Sequence, residues 1–239
     1  MSAGNARRRC AAWIETVLAA LLLVPVAAPV GAQAPEISAP EIERRVRAVY
    51  IEGFPYTLGR GLSRDAVERL AGMLESPDER PYWSNIVLAL GTSESSRALV
   101  ALEAFADAAP TGEVEADVYQ ARAALPFAFG HLARRHDAAL VRLGNRATEE
   151  RDPQWSFQSL RGAALGDVLR RAAITGLGVS GRDEADAILR ELEERENAAG
   201  RGASEWARHL ATTRVLRTRV KREGPAAVFS PRGVRRPGP

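Results

Sequence analysis

Residues 167–192 read DVLRRAAITGLGVSGRDEADAILREL, and this stretch decides the fold. An alanine-rich apolar segment runs to Leu177-Gly178, a short polar turn follows, and Ala185, Ile188, Leu189 and Leu192 then recur at helical spacing. Apolar residues three and four apart share one face of a helix, so the stretch predicts two helices joined by a turn. The phrase returns with drift upstream. One copy, RPYWSNIVLALGTSESSRALVALEAF over 80–105, ends its first helix at Leu90-Gly91; a weaker one over 118–143 does so at Phe129-Gly130. A single hairpin cannot bury its apolar face alone, and hairpins repeated at such intervals predict an all-α solenoid stabilised by stacking. Gly91, Gly130 and Gly178 are expected at helix ends, in the left-handed conformation that glycine adopts cheaply. No strand precedes them, which argues against a phosphate-cradling role.

The copies resemble HEAT repeats, of the variety shared with phycobilisome-lyase-like repeats. The shared pattern is an acidic residue, an apolar-Arg step, paired alanines, Leu-Gly, a short turn and a leucine-rich helix. The resemblance covers about 130 residues. The 80–105 copy departs from it at Asn85 and Ile86, where the alanine pair belongs, and at Tyr82-Trp83. The 118–143 copy departs at Pro126 and Phe129. The glycines are unevenly spaced, which leaves open an inserted helix or a less orderly bundle. The resemblance implies a right-handed α-α superhelix of about four hairpins whose second helices line a concave wall. Carried over, it sets Tyr82, Trp83, Asn85, Tyr119, Arg122, Arg170 and Arg171 near that wall, as candidate partner-binding residues. Tyr82 and Trp83 have two readings of equal weight, as interface anchors or as core filler near Phe54 and Pro55. Arg170 or Arg171 pairing with an acid of a neighbouring unit is preferred over ligand contact.

The helices outside the copies follow from local signals. Ser38-Ala39-Pro40-Glu41 starts one helix, with Ile42, Val46, Val49 and Tyr50 along one side. Ser63 is an N-cap for a stripe of Val67, Leu70, Ala71 and Leu74. Trp155 to Leu165 is expected to be helical, and Ala203 to about Val220 supplies the last helix.

Residues 1–32 have the form of a cleaved secretory signal. Arg7, Arg8 and Arg9 precede fourteen apolar residues, VLAALLLVPVAAPV over 17–30, and Val30-x-Ala32 offers a cleavage site before Gln33. Fourteen residues would cover only about 21 Å of helix, short of a bilayer core; a retained anchor is the competing reading. The one cysteine, Cys10, falls inside this segment, so the mature chain would have no disulfide or thiolate metal site. Export to the periplasm or beyond is the expectation.

The chain of 239 residues carries 33 basic and 30 acidic side chains. Residues 33–213 hold 22 basic and 28 acidic; residues 214–239 hold 8 basic and 1 acidic. From Lys221 the sequence KREGPAAVFSPRGVRRPGP has no apolar period and reads as a disordered basic tail, able to touch an anionic surface. The folded part, 33–220, lacks the clustered arginines interleaved with aromatic readers of a nucleic-acid surface, so no specific nucleic acid is expected.

Catalytic signatures are absent from the sequence. His131 and His136 are five apart, on different faces of a helix, and no carboxylate completes a metal site. The paired acids Asp78-Glu79, Asp183-Glu184 and Glu193-Glu194 diverge by ~100° per residue and read as solvated faces. No cofactor is expected. The resulting expectation is a non-catalytic protein-binding or scaffold module with its partner on the concave face. The alternatives are a small enzyme or lyase-like protein on the same frame, or an envelope structural protein anchored by its tail.

Overall fold

The computed structural model describes residues 36–50, 54–200, 202 and 204–229. The expected secretory signal and residues 230–239 lie outside them. The regular elements of the described chain are helices apart from two two-residue strands. In order it forms α1 (Ala39–Val46), a 3-10 turn (Tyr56–Gly59), α2 (Arg64–Glu75), a second 3-10 turn (Pro77–Tyr82), α3 (Trp83–Thr92) and α4 (Ser96–Asp107). Then follow β1 (Gly112–Glu113), α5 (Ala116–Leu132), α6 (Asp137–Thr148), β2 (Trp155–Ser156), α7 (Gly162–Ser180), α8 (Asp183–Ala198), α9 (Glu205–Glu223) and α10 (Pro225–Phe229). Among the described residues no helix is long and apolar enough to cross a membrane.

Local chemistry explains where the helices start. Ser63 and Ser204 each accept, through the side-chain oxygen, the N–H three residues on, at 3.0 Å from Ala66 and 3.1 Å from Ala207. Each satisfies one of the donors that a helix start leaves unpaired.

The packing repeats. α3, α5, α7 and α9 stack in chain order, with α2, α4, α6 and α8 packed against them. One register relates the units. On α4, α6 and α8, Ala98 and Leu102 recur as Ala139 and Leu143, then Ala185 and Leu189, all at most 2% exposed. On the stacked layer, a Cβ on Gly91 would strike the Ala128 backbone. One on Gly130 would lie 2.6 Å from the Gly176 carbonyl oxygen, and one on Gly178 2.7 Å from Thr213 Cγ2. Ala128 and Gly176 each stand two residues before the next unit's glycine. Gly91 and Gly130 thus meet a small residue at one repeated place where backbones approach closely, and Gly178 meets Thr213 at the corresponding step of the stack.

This corrects the expectation that these glycines cap helices. Gly91, Gly130 and Gly178 lie within the last turns of α3, α5 and α7. The left-handed position falls three residues later, at Gly181 (φ +66°) and at Glu94 (φ +56°). Two serines close the turns alike. Ser93 donates to the Leu90 carbonyl and accepts from the Ser95 N–H; Ser180 donates to Leu177 and accepts from Arg182.

The hairpin turns are tied in series by cations. Arg134 and Arg135 pair with Glu94, and His136 Nε2 lies 2.9 Å from the Glu94 carbonyl oxygen. Arg182 reaches back to the Ala133 carbonyl and Asp137. Arg217 and Lys221 do the same to Asp183.

Several local expectations fail at the connections. Residues 155–161, expected to be helical, form β2 and a turn. β1 and β2 pair in parallel, Gly112 opposite Trp155, and Trp155, Leu165 and Leu169 make a small second cluster with Val114, Tyr119, Phe157 and Leu160. The apolar spacing there serves a packed loop, which is why the glycine interval lengthens. Val49 is 90% exposed and lies beyond the end of α1, so it does not continue that helix's apolar side. Pro126 stays inside α5. The boundary expected at 221 falls within α9, and residues 225–229 form α10, with Pro225 buried. α9 extends because its last turn is basic, which suits a helix C-terminus.

Candidate functional site

The residue eight places before each landmark glycine is Trp83, Arg122 and Arg170 in turn. At this register a side chain faces the C-terminus of the preceding second-layer helix, whose last carbonyls have no partner within the helix. Trp83 donates its indole N–H to the Met73 carbonyl in the last turn of α2, at 3.2 Å. Arg122 donates to Phe105 and Ala108 at 2.6 Å each and to Ala106 at 3.2 Å, closing the end of α4. Its guanidinium carbon lies 4.3 Å from the Phe105 ring centroid, a cation–π contact in a desolvated place. Burial pulls this guanidinium down to about 10, so it remains charged at neutral pH.

Arg170 breaks the pattern. It pairs with Asp167 on its own helix and stands 5.7 Å from the Trp206 ring; its Nε–H is buried without a hydrogen-bond partner, as is that of Arg122. The end of α6 is therefore left uncapped by it. A cavity of about 490 Å³ opens there, lined by apolar side chains including Ile174, Leu192, Trp206 and Leu210 and by the charged Glu150, Arg170, Arg195 and Glu196. Arg171 stands 5.5 Å from the same indole and pairs with Glu205. Hydrogen bonding to Glu205 is the main cause that raises the Arg171 pKa and lowers that of Glu205.

The remaining sequence candidates have intramolecular partners. Asn85 donates to the Val46 and Ala48 carbonyls at 2.8 and 3.2 Å, closing the end of α1. Trp83 packs edge-on to Phe105, 5.2 Å between centroids, rather than beside Phe54. Tyr82 is half-buried against the core. Tyr119 stacks on Phe157 at 4.3 Å and 11°, closing the loop cluster. The structure thus brings Arg170 and Arg171 together around one indole, sets Trp83 and Arg122 against the one Phe105 ring, and gives Tyr82, Asn85 and Tyr119 separate packing roles.

Trp206 was passed over in the sequence. Its only local signal is its place directly after the Ser204-Glu205 helix start, and a tryptophan in a first turn discloses nothing about its neighbours.

A second groove of about 450 Å³ lies between α8 and α9, lined by Arg214, Arg217, Arg219 and Arg222 together with Asp186 and Glu193. Arg214 and Arg217 are paired there with Asp186, Glu193 and Asp183. Among the described residues no three His, Cys, Asp or Glu side chains converge as a metal-binding group. The Arg170–Trp206 cavity offers apolar side chains, an aromatic face and a neighbouring guanidinium, the elements of a recognition pocket. No protein-family model, curated protein or solved structure matches the chain.

Proposed function

We propose that the chain is a non-catalytic docking module of the cell envelope. In this reading it is exported and its stacked hairpins form a right-handed, HEAT-like superhelix of about four hairpins that holds a protein partner. The carrying observation is the place where the repeat departs from itself. Two units close the end of the preceding helix with Trp83 and Arg122, whereas the third leaves Arg170, Trp206 and an open cavity. Tryptophan and arginine are the side chains most enriched among residues that dominate binding energy. A lining of Ile174, Leu192 and Trp206 suits an apolar anchor from the partner, with the Arg170 side chain beside it. The basic segment beyond α10 can add weak attraction to an anionic surface.

The test is affinity capture from the chain's own cell envelope by the intact protein and by Trp206→Ala and Arg170→Ala. Helix content of all three is followed by circular dichroism. A protein recovered at least tenfold better by the intact chain than by Trp206→Ala, at equal helix content, is the expected result. Equal recovery by all three proteins would remove the cavity from the account.

A further inference from the structure

The last turn of α5 carries a buried polar group that the repeat does not use. His131 is 0% exposed, and neither ring nitrogen has a hydrogen-bond partner. The hydroxyl of Tyr56, 4% exposed, likewise has no well-formed hydrogen bond, and the Arg134 guanidinium is the charge that acts on it most. Aromatic rings surround the imidazole: Phe127 at 4.6 Å, Tyr56 at 4.9 Å and Phe229 at 5.6 Å between centroids. Phe229 belongs to α10, a helix of five residues, and also meets Phe127 at 5.3 Å and Tyr56 at 6.3 Å.

α10 joins α9 through Gly224, at φ +78° and ψ 153°. Only glycine adopts that backbone freely, and a Cβ there would meet nothing within 4 Å. The space beside this joint is therefore open. The seat is held by apolar contact of Pro225 and Phe229, while three buried polar atoms beneath have no well-formed hydrogen bond. An unpaired buried donor or acceptor costs about 1–3 kcal/mol relative to water. Lifting α10 would hydrate those atoms, which offsets part of the lost contact.

We propose that α10 is a latch seated by Phe229 on the Tyr56–Phe127–His131 recess, and that mild acid opens it by protonating His131 once the ring reaches water. The charged and titratable groups around the Tyr56–His131 pair fix the sign. From the first 3-10 turn and the residue after it come Tyr56 and Arg60. From the hairpin turns come Arg134 and Glu94, which pair with each other at 2.6 Å. α10 carries no titratable side chain. No carboxylate therefore contacts the imidazole to welcome a proton. Burial, then Arg134, pulls the His131 pKa down to about 3 with the latch seated; a solvated histidine has a value near 6.5. A depressed folded value means that seating is strongest above pH 6.5 and weakens progressively as the pH falls toward 3. The equilibrium should shift about 30-fold toward the open form at pH 5.

The experiment is an NMR titration of the 13C-labelled imidazole in the intact chain, Phe229→Ala and Phe229→Leu, with ring-to-ring contacts of Phe229 read at pH 7.5 and 5. In the intact chain His131 should titrate at about pH 5, well below a solvated histidine, and its contacts to Phe229 should fade over the same range. Phe229→Ala should raise the His131 pKa by about one pH unit or more, and Phe229→Leu by less. His131→Phe should keep the Phe127–Phe229 contact equally at both pH values. The latch is overturned if His131 titrates near 6.5 in the intact chain or if Phe229→Ala leaves its pKa unmoved. It is equally overturned if the His131–Phe229 contact in the intact chain is as strong at pH 5 as at pH 7.5.

Discussion

Arg122 and Arg170 hold the same place in successive units and do opposite things. Arg122 is buried, has no carboxylate partner, and spends its donors on three carbonyls at the end of α4. Arg170 is partly exposed, pairs with an acid one turn away, and leaves the end of α6 beside an open cavity. The nearby acid decides between them. Asp167 is three residues before Arg170, on the same helix face, and offers a charge-assisted bond without desolvation. The same offset from Arg122 brings Tyr119, which is occupied with Phe157. With no local acceptor, Arg122 reaches the neighbouring helix end. The lesson is that a repeat position sets a direction, while the residue one turn away sets the partner.

The largest expected effect breaks the seam on which this comparison rests. Gly176→Val would drive a side chain into the Pro126 carbonyl and Leu143. A loss of about 3 kcal/mol or more is expected, since the backbone contact cannot yield; denaturant unfolding measures it, and a loss below about 1 kcal/mol would mean that the seam is looser than described.

Next comes Arg122→Ala. It strips three carbonyls of their partner and removes the cation from Phe105, and should cost about 2–4 kcal/mol. Arg170→Ala should cost less than about 1 kcal/mol, because its ion pair is partly in solvent. Unfolding curves of the two variants set side by side test the comparison directly; equal losses would show that the two arginines do the same work. Asp167→Ala sharpens it further. Freed of its acid, Arg170 should turn toward the carbonyls of α6 and narrow the cavity, visible as slower amide exchange at 145–148. The smallest effect is a calibration. Gly72 is exposed within α2 with open space around its Cβ position, so Gly72→Ala should stabilise by about 0.5–1 kcal/mol. Calorimetry would register this as a rise in Tm of a few degrees.

Much of the helical order was legible in the residues. Ala139, Leu140 and Leu143, or Ala185 and Leu189, fall on one face by spacing alone, and all are buried. Ser63 was legible as a cap because its acceptor lies three residues away. The landmark glycines were found at the right places with the wrong reason attached. A glycine near a helix end looks alike in sequence when it supplies a left-handed turn and when it admits a neighbouring backbone. Residues 155–161 were misread because Leu160, Trp155 and Phe157 carry apolar spacing that a packed loop also uses. Of the seven candidate residues, Arg170 and Arg171 share a place, and Trp206 between them had no local signature.

The sequence by itself determined where helices start, which faces are apolar, and that paired helices recur. These follow from contacts between residues three and four apart, whose geometry the chain carries with it. Only the tertiary structure decided that Gly91, Gly130 and Gly178 are seams. It alone set Arg122 closing a helix where Arg170 leaves one open, and His131 without a partner beneath Phe229. Each depends on groups distant along the chain meeting within a few ångströms, and burial then fixes what a polar side chain costs or contributes.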